Sequence, residues 1–128
     1  MFSHVMLGAN DVDKSRAFYD AVLGALGAKS GRVDDKGRVY YTHNGGLFMI
    51  SKPIDGEAAC HANGGTVGFA GASPDEVDAW HAAGLASGGT TCEDPPGYRE
   101  GGFGKLYLAY LRDPAGNKLC GLYRPPQE

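Results

Sequence analysis

The sequence predicts an α+β domain built from two tandem βαβββ modules. These pair into a curved mixed sheet, an open barrel-like cup with the helices outside. Three observations carry this. Residues 4–27, HVMLGANDVDKSRAFYDAVLGALG, fall without a gap on residues 66–89, TVGFAGASPDEVDAWHAAGLASGG, at a shift of 62. The matches are positions a strand or helix buries: Val5 with Val67, Leu7 with Phe69, Phe18 with Trp80, Leu23 with Leu85. Each copy is followed by short strand candidates separated by turn signals, and these align too. At a shift of 72, LFMISKP (47–53) meets LCGLYRP (119–125), and at a shift of 67, GRVY (37–40) meets GKLY (104–107). A repeat of this kind means that one module cannot bury its sheet alone and needs the other.

The first module spans 1–53. Phe2 to Gly8 is an apolar run too short for a helix and reads as a strand. Asn10 or Asp11 supplies a helix cap, and Asp13 suits the positive end of the helix dipole. Val12, Ala17, Phe18, Ala21, Val22 and Leu26 follow helical spacing, and Gly24 and Gly27 mark the stop. Residues 29–34, 38–43 and 47–51 are three strand candidates. Asp35-Lys36-Gly37 and Asn44-Gly45-Gly46 separate them as hairpin turns.

Residues 54–65 are small and polar, with no period, and form the linker. The second module spans 66–125. Thr66 to Ala70 is a strand. Ser73-Pro74-Asp75-Glu76 combines an N-cap, a first-turn proline and a capping box. The following helix turns Val77, Trp80, Ala83 and Leu85 inward and leaves His81 exposed. Thr90 to Glu93 is a weak strand, and 94–104 a glycine- and proline-rich loop. Residues 105–112 and 118–123 are strands joined by the tight turn Asp113 to Asn117, DPAGN.

At 128 residues the chain has the length of one compact domain, with a core large enough to need no staples. The formal net charge of −3 and the absence of any basic run argue against nucleic-acid binding. No apolar stretch approaches the roughly 20 residues that span a bilayer. The start, MFSHVML, lacks the basic region and long apolar stretch of a signal peptide. Three cysteines at unrelated spacings fit a reducing compartment rather than a disulfide framework. The expectation is a cytoplasmic protein.

The duplication, the opening HVMLGANDVDKSRAFYDAVLG and the closing LYLAYLRDPAGNKLCGLY resemble the vicinal oxygen chelate superfamily. This group includes glyoxalase I, bleomycin-resistance proteins, extradiol dioxygenases and fosfomycin-resistance enzymes. The resemblance covers nearly the whole chain. In metal-using members it implies four cup positions, at the start of each module's first strand and in the middle of each last strand. These carry His or Gln on the first strands and Glu on the last. Mapped here they are His4, Phe48, Thr66 and Cys120, and only His4 matches. A divalent ion needs three or four donors converging near 2 Å. Thr66 offers a weak hydroxyl and Phe48 nothing, so His4 and Cys120 are the only plausible ligands. No metal or other cofactor is predicted. The missing carboxylates also remove the proton shuttles of a glyoxalase-type isomerisation.

Other candidates line the same pocket. His4 reads as a leftover polar cup residue, or as a ligand or base. Cys120 reads as a small buried hydrophobe, or as half of a Cys–His pair with His4. Tyr40 and Tyr107, with Phe48 and Ile50, form an aromatic pocket wall, or else sheet packing. Tyr98 and Arg99 lie in the long loop, read as a mobile cover, where Arg99 either meets a ligand carboxylate or phosphate or is simply solvated. No catalytic residue is assigned. The expected function is metal-independent binding of a small molecule, by a homodimer of the kind the resemblance implies. The alternative is a lyase, isomerase or thiol-transfer enzyme with a divalent metal and an altered ligand set. A third reading is a ligand-free structural dimer.

Overall fold

Each helix begins at a side-chain cap. The Asp11 side chain accepts the Lys14 N–H at 3.1 Å and starts α1, Val12–Ala25. Ser73 accepts the Glu76 N–H at 3.1 Å and starts α2, Pro74–Ala86. Glu76 reaches back to the Ala72 N–H at 3.2 Å, one residue short of a standard capping box. The computed structural model describes residues 1–126.

Module one contributes β1 (Val5–Gly8), α1, β2 (Arg32–Val33), β3 (Val39–His43) and β4 (Gly46–Ser51). They form a four-stranded sheet in the order β1-β4-β3-β2, with β1 and β4 parallel. Module two contributes β5 (Val67–Ala70), α2, β6 (Thr90–Thr91), β7 (Gly97–Gly101), β8 (Gly104–Arg112) and β9 (Lys118–Tyr123). Its sheet runs β5-β9-β8-β6, with β7 also pairing on β8 and β5 parallel to β9. The two-module α+β architecture therefore stands. The sheets are two separate hydrogen-bonded sheets rather than one continuous sheet, and they do not close into a barrel. The stretch read as a loop over 94–104 contains β7, whose hairpin with β8 turns at Gly101 to Gly104.

Strand alternation sorts side chains onto two faces. The core face of module one carries Val39, Tyr41, Phe48 and Ile50, all buried, with Val5 and Leu7 partly so. The core face of module two carries Ala109, Leu111 and Leu119. These join Phe18, Tyr19, Val22 and Leu23 of α1 and Val77 and Trp80 of α2 in one hydrophobic core. The helices pack on each other where Gly84 of α2 leaves room. A Cβ there would lie 2.4 Å from Leu111 and 3.2 Å from Phe18. Trp80 covers Gly121 of β9, where a Cβ would lie 2.8 Å from its ring.

The DPAGN turn is a clamp between modules. Asp113 accepts the Ala115 and Asn117 N–H groups at 2.9 Å, which holds the turn. Its other oxygen accepts the Tyr19 hydroxyl of α1 at 2.5 Å. Asn117 donates to the Gly8 carbonyl at the end of β1 at 3.0 Å. Two expectations on the helices are corrected. Leu85 is 46% exposed, because the core stripe of α2 runs through Val77, Trp80, His81 and Gly84. His81 is buried, with its Nε2 3.1 Å from the Thr91 hydroxyl. Burial lowers its pKa, partly opposed by the Asp78 charge.

Candidate functional site

The faces opposite the core are the cup faces. Register fixes their membership. In module one, Met6 pairs with Met49 and Met49 with Tyr40, and Tyr40 with Arg32, so these four share the cup face. Val5, Phe48 and Tyr41 share the other face. In module two, Gly68 pairs with Cys120 and Cys120 with Tyr110, giving the equivalent cup row. Val5 and Val67 are counterparts, and they pair with Phe48 and Leu119. The counterpart of Cys120 is therefore Met49, not Phe48. The strand alignment had slipped by one residue, and a one-residue slip moves every side chain to the opposite face.

Several expected pocket residues move with that correction. Phe48 is 7% exposed and packs on Tyr19, with ring centroids 4.7 Å apart, and on Phe69 at 5.3 Å. Ile50 is fully buried on the same core face. Tyr107 shares the core side of β8 with Ala109 and Leu111, and its hydroxyl donates to Asp78 of α2 at 2.6 Å. That hydrogen bond holds its pKa up at about 12. Tyr98 pairs with Tyr107 and stacks edge-on against it at 5.0 Å, with the Lys105 ammonium 4.5 Å from the Tyr98 ring centre. Tyr107 and Tyr98 are thus off the cup, whereas Tyr40 lies on it. His4 and Thr66 are exposed and stand one residue before β1 and β5, and the His4 ring nitrogen Nδ1 lies 2.8 Å from the Ser3 hydroxyl.

What the cup face of module two does gather is a compact polar cluster. Cys120 is 7% exposed. Tyr110 stands opposite it. The Lys118 ammonium lies 5.0 Å from the Tyr110 ring centre and pairs with Glu93. The Arg99 guanidinium lies 5.4 Å from the same ring centre. Arg99 Nη2 donates to the Asp94 and Pro95 carbonyls at 2.8 and 2.9 Å. Burial pushes the Cys120 thiol up, against the pull of the Tyr110 hydroxyl and the Arg99 charge. Burial likewise raises the Tyr110 phenol. At neutral pH both are protonated hydrogen-bonding groups. Leu108 and Leu122, paired across β8 and β9, form a half-buried apolar row beside them.

Sequence reading had not singled out Tyr110, Lys118 or Glu93. Tyr110 was within reach. The DPAGN turn fixes Arg112 opposite Lys118, and two steps outward along each strand bring Tyr110 opposite Cys120.

The implied divalent metal does not fit these residues. The corrected cup positions are His4, Met49, Thr66 and Cys120. They offer an imidazole, a thioether, a hydroxyl and a thiol that burial keeps protonated. Oxygen- and nitrogen-seeking ions need more than one strong donor, and thiolate ligation needs a lowered pKa. Among the described residues, no three His, Cys, Asp or Glu side chains gather closely enough to hold an ion.

Two cavities lie elsewhere. An apolar one of about 300 Å³ sits on the core side, between Val5, Leu26, Phe48, Val67 and Phe69. A wide concavity of about 1340 Å³ opens between the start of α1, residues 33–39 and the linker. Neither contains the Tyr110–Cys120 row. No described helix is long and apolar enough to cross a membrane.

Two βαβββ-type modules sharing a core, each with a cup face turned away from it, define a paired-module cup protein. Residues 1–120 match the Glyoxalase/Bleomycin resistance protein/Dioxygenase superfamily, and the chain belongs to it. A glyoxalase/bleomycin resistance protein from Albidiferax ferrireducens T118 is 58% identical, with a TM-score of 0.94 over 97% of this chain and 99% of that one. A glyoxalase-related enzyme from Fulvimarina pelagi shares the fold at 18% identity, with a TM-score of 0.74 over 98% and 89%. A lactoylglutathione lyase from Agrobacterium tumefaciens does so at 23% identity, with a TM-score of 0.66 over 96% and 92%. No curated protein sequence matches the chain.

Proposed function

We propose that the protein binds a small organic molecule on the cup face of its second module, without a resident metal and without glyoxalase I activity. The observation that carries this reading is the Tyr110–Cys120 row. At the position where metal-using relatives place a carboxylate, this chain has a protonated thiol facing a phenol, flanked by Arg99, Lys118 and an apolar leucine pair. Such a surface offers hydrogen bonds, a ring and apolar area, the usual furnishing of a ligand site. It offers no carboxylate base for moving a carbon-bound proton.

The test is a thermal-shift screen of aromatic and amphiphilic small molecules against tag-free protein, with elemental analysis of the same sample. A stabilising ligand whose effect disappears in Tyr110→Ala supports the reading, because a ligand that binds only the native state raises the melting temperature. A stoichiometric metal that is lost in His4→Ala overturns it in favour of a metal-dependent enzyme.

A further inference from the structure

We infer that this cup face selects organic anions, with Arg99 taking the ligand's carboxylate and the Leu108–Leu122 row taking its apolar body. The inference deepens the binding role proposed above and rests on it. It starts from an imbalance of charge. Lys118 is neutralised by Glu93, whereas Arg99 forms no ion pair with any described residue. Arg99 is half-buried, and its Nη1 is buried without a hydrogen-bond partner among the described residues. An uncompensated charge beside apolar surface is costly, and a carboxylate supplied by a ligand removes that cost.

The guanidinium is also held in place before any ligand arrives. Two main-chain carbonyls fix Nη2, and the Tyr110 ring lies beneath the group. A planar cation fixed in this way loses little freedom on pairing, which favours an anion drawn by its charge. The Glu93 carboxylate, whose charge reaches Tyr110 and Cys120, is paired with Lys118, which offsets its repulsion of an anion. Leu108 and Leu122 lie two residues along the strands from the Tyr110–Cys120 pair. A carboxylate at Arg99 therefore brings the attached carbon skeleton over apolar surface.

The experiment is calorimetric titration of the full chain with benzoate and hexanoate, each against its uncharged amide. The expected result is that the acids bind on the order of tenfold or more tightly than the amides, the scale of a charge-assisted hydrogen bond. Added salt is expected to weaken the acids alone. Arg99→Gln is expected to erase the difference, and Lys118→Gln, which leaves Glu93 unpaired, to weaken the acids. Equal binding of acids and amides overturns this inference and leaves the cup-binding role standing. Binding of neither probe overturns it as well, and the wider ligand screen then decides the role itself. Arg99→Gln also removes two carbonyl contacts, so its unliganded melting curve is recorded. If that variant does not fold, the acid–amide ratio and its salt dependence in the unmodified protein decide alone.

Discussion

Tyr110 stands directly opposite Cys120 across the β8–β9 ladder, on the face turned away from the core. Burial keeps both protonated, and Arg99 and Lys118 flank the Tyr110 ring. In the proposed binding role this pair supplies a neutral hydrogen-bonding floor.

Cys60 and Cys120 should separate by reactivity. Cys60 is exposed, whereas Cys120 is buried with its thiol pushed up. Thiolate fraction and access set alkylation rates. At mildly alkaline pH, peptide mass spectrometry should find iodoacetamide on Cys60 at least about tenfold faster than on Cys120. Labelling of Cys120 as fast as Cys60 would show a reactive thiol and restore a nucleophilic role.

Tyr19→Phe should weaken the joint between modules without touching the cup. It removes the hydroxyl that donates to Asp113 and leaves that buried carboxylate oxygen with one donor fewer, the Asn117 amide remaining. The expected loss is about 1–3 kcal/mol in denaturant unfolding. Ligand affinity at the Tyr110–Cys120 row should stay unchanged.

The same tyrosine makes stability fall at high pH. Burial, reinforced by the Asp113 charge and hydrogen bond, raises the Tyr19 pKa well above its ordinary value of 10.0. Burial and the Asp20 hydrogen bond raise Tyr41 in the same direction. Above pH 10 the unfolded chain releases these protons while the folded chain keeps them, so the folded state is progressively disfavoured. Stability should be unaffected by these groups below about pH 10 and decline as pH rises beyond it. Tyr19→Phe should flatten that decline, as read from unfolding midpoints across the alkaline range.

Gly121→Ala should be costly for its size. The added Cβ would sit 2.8 Å from the Trp80 ring, which is fully buried and has nowhere to retreat. Overpacking of this kind costs about 1–3 kcal/mol. A lowered denaturation midpoint with a changed near-ultraviolet signal would bear this out, and an unchanged midpoint would contradict the close packing.

The sequence made the modules legible because caps, turn residues and buried periodicity agree locally in both copies. Asp11, Ser73 and the DPAGN turn lie where local rules place them. The cup was less legible. LFMISKP and LCGLYRP align best in composition one residue away from their structural register, since both strands are apolar on both faces. Alternation gave no warning, so Phe48 stood in for Met49. The core residue Tyr19 escaped because its hydroxyl is satisfied 94 residues away, at Asp113. Arg99 stood in what looked like a free loop, and only the β7–β8 pairing places it on the cup face.

Calorimetric titration of one screened ligand, with and without a chelator and against Tyr110→Ala, tests the central claim most directly. The account predicts the same affinity in the presence and absence of chelator, and a loss of about tenfold or more in Tyr110→Ala, the scale of removing a well-packed ring. Binding abolished by the chelator, or indifferent to Tyr110→Ala, would contradict it.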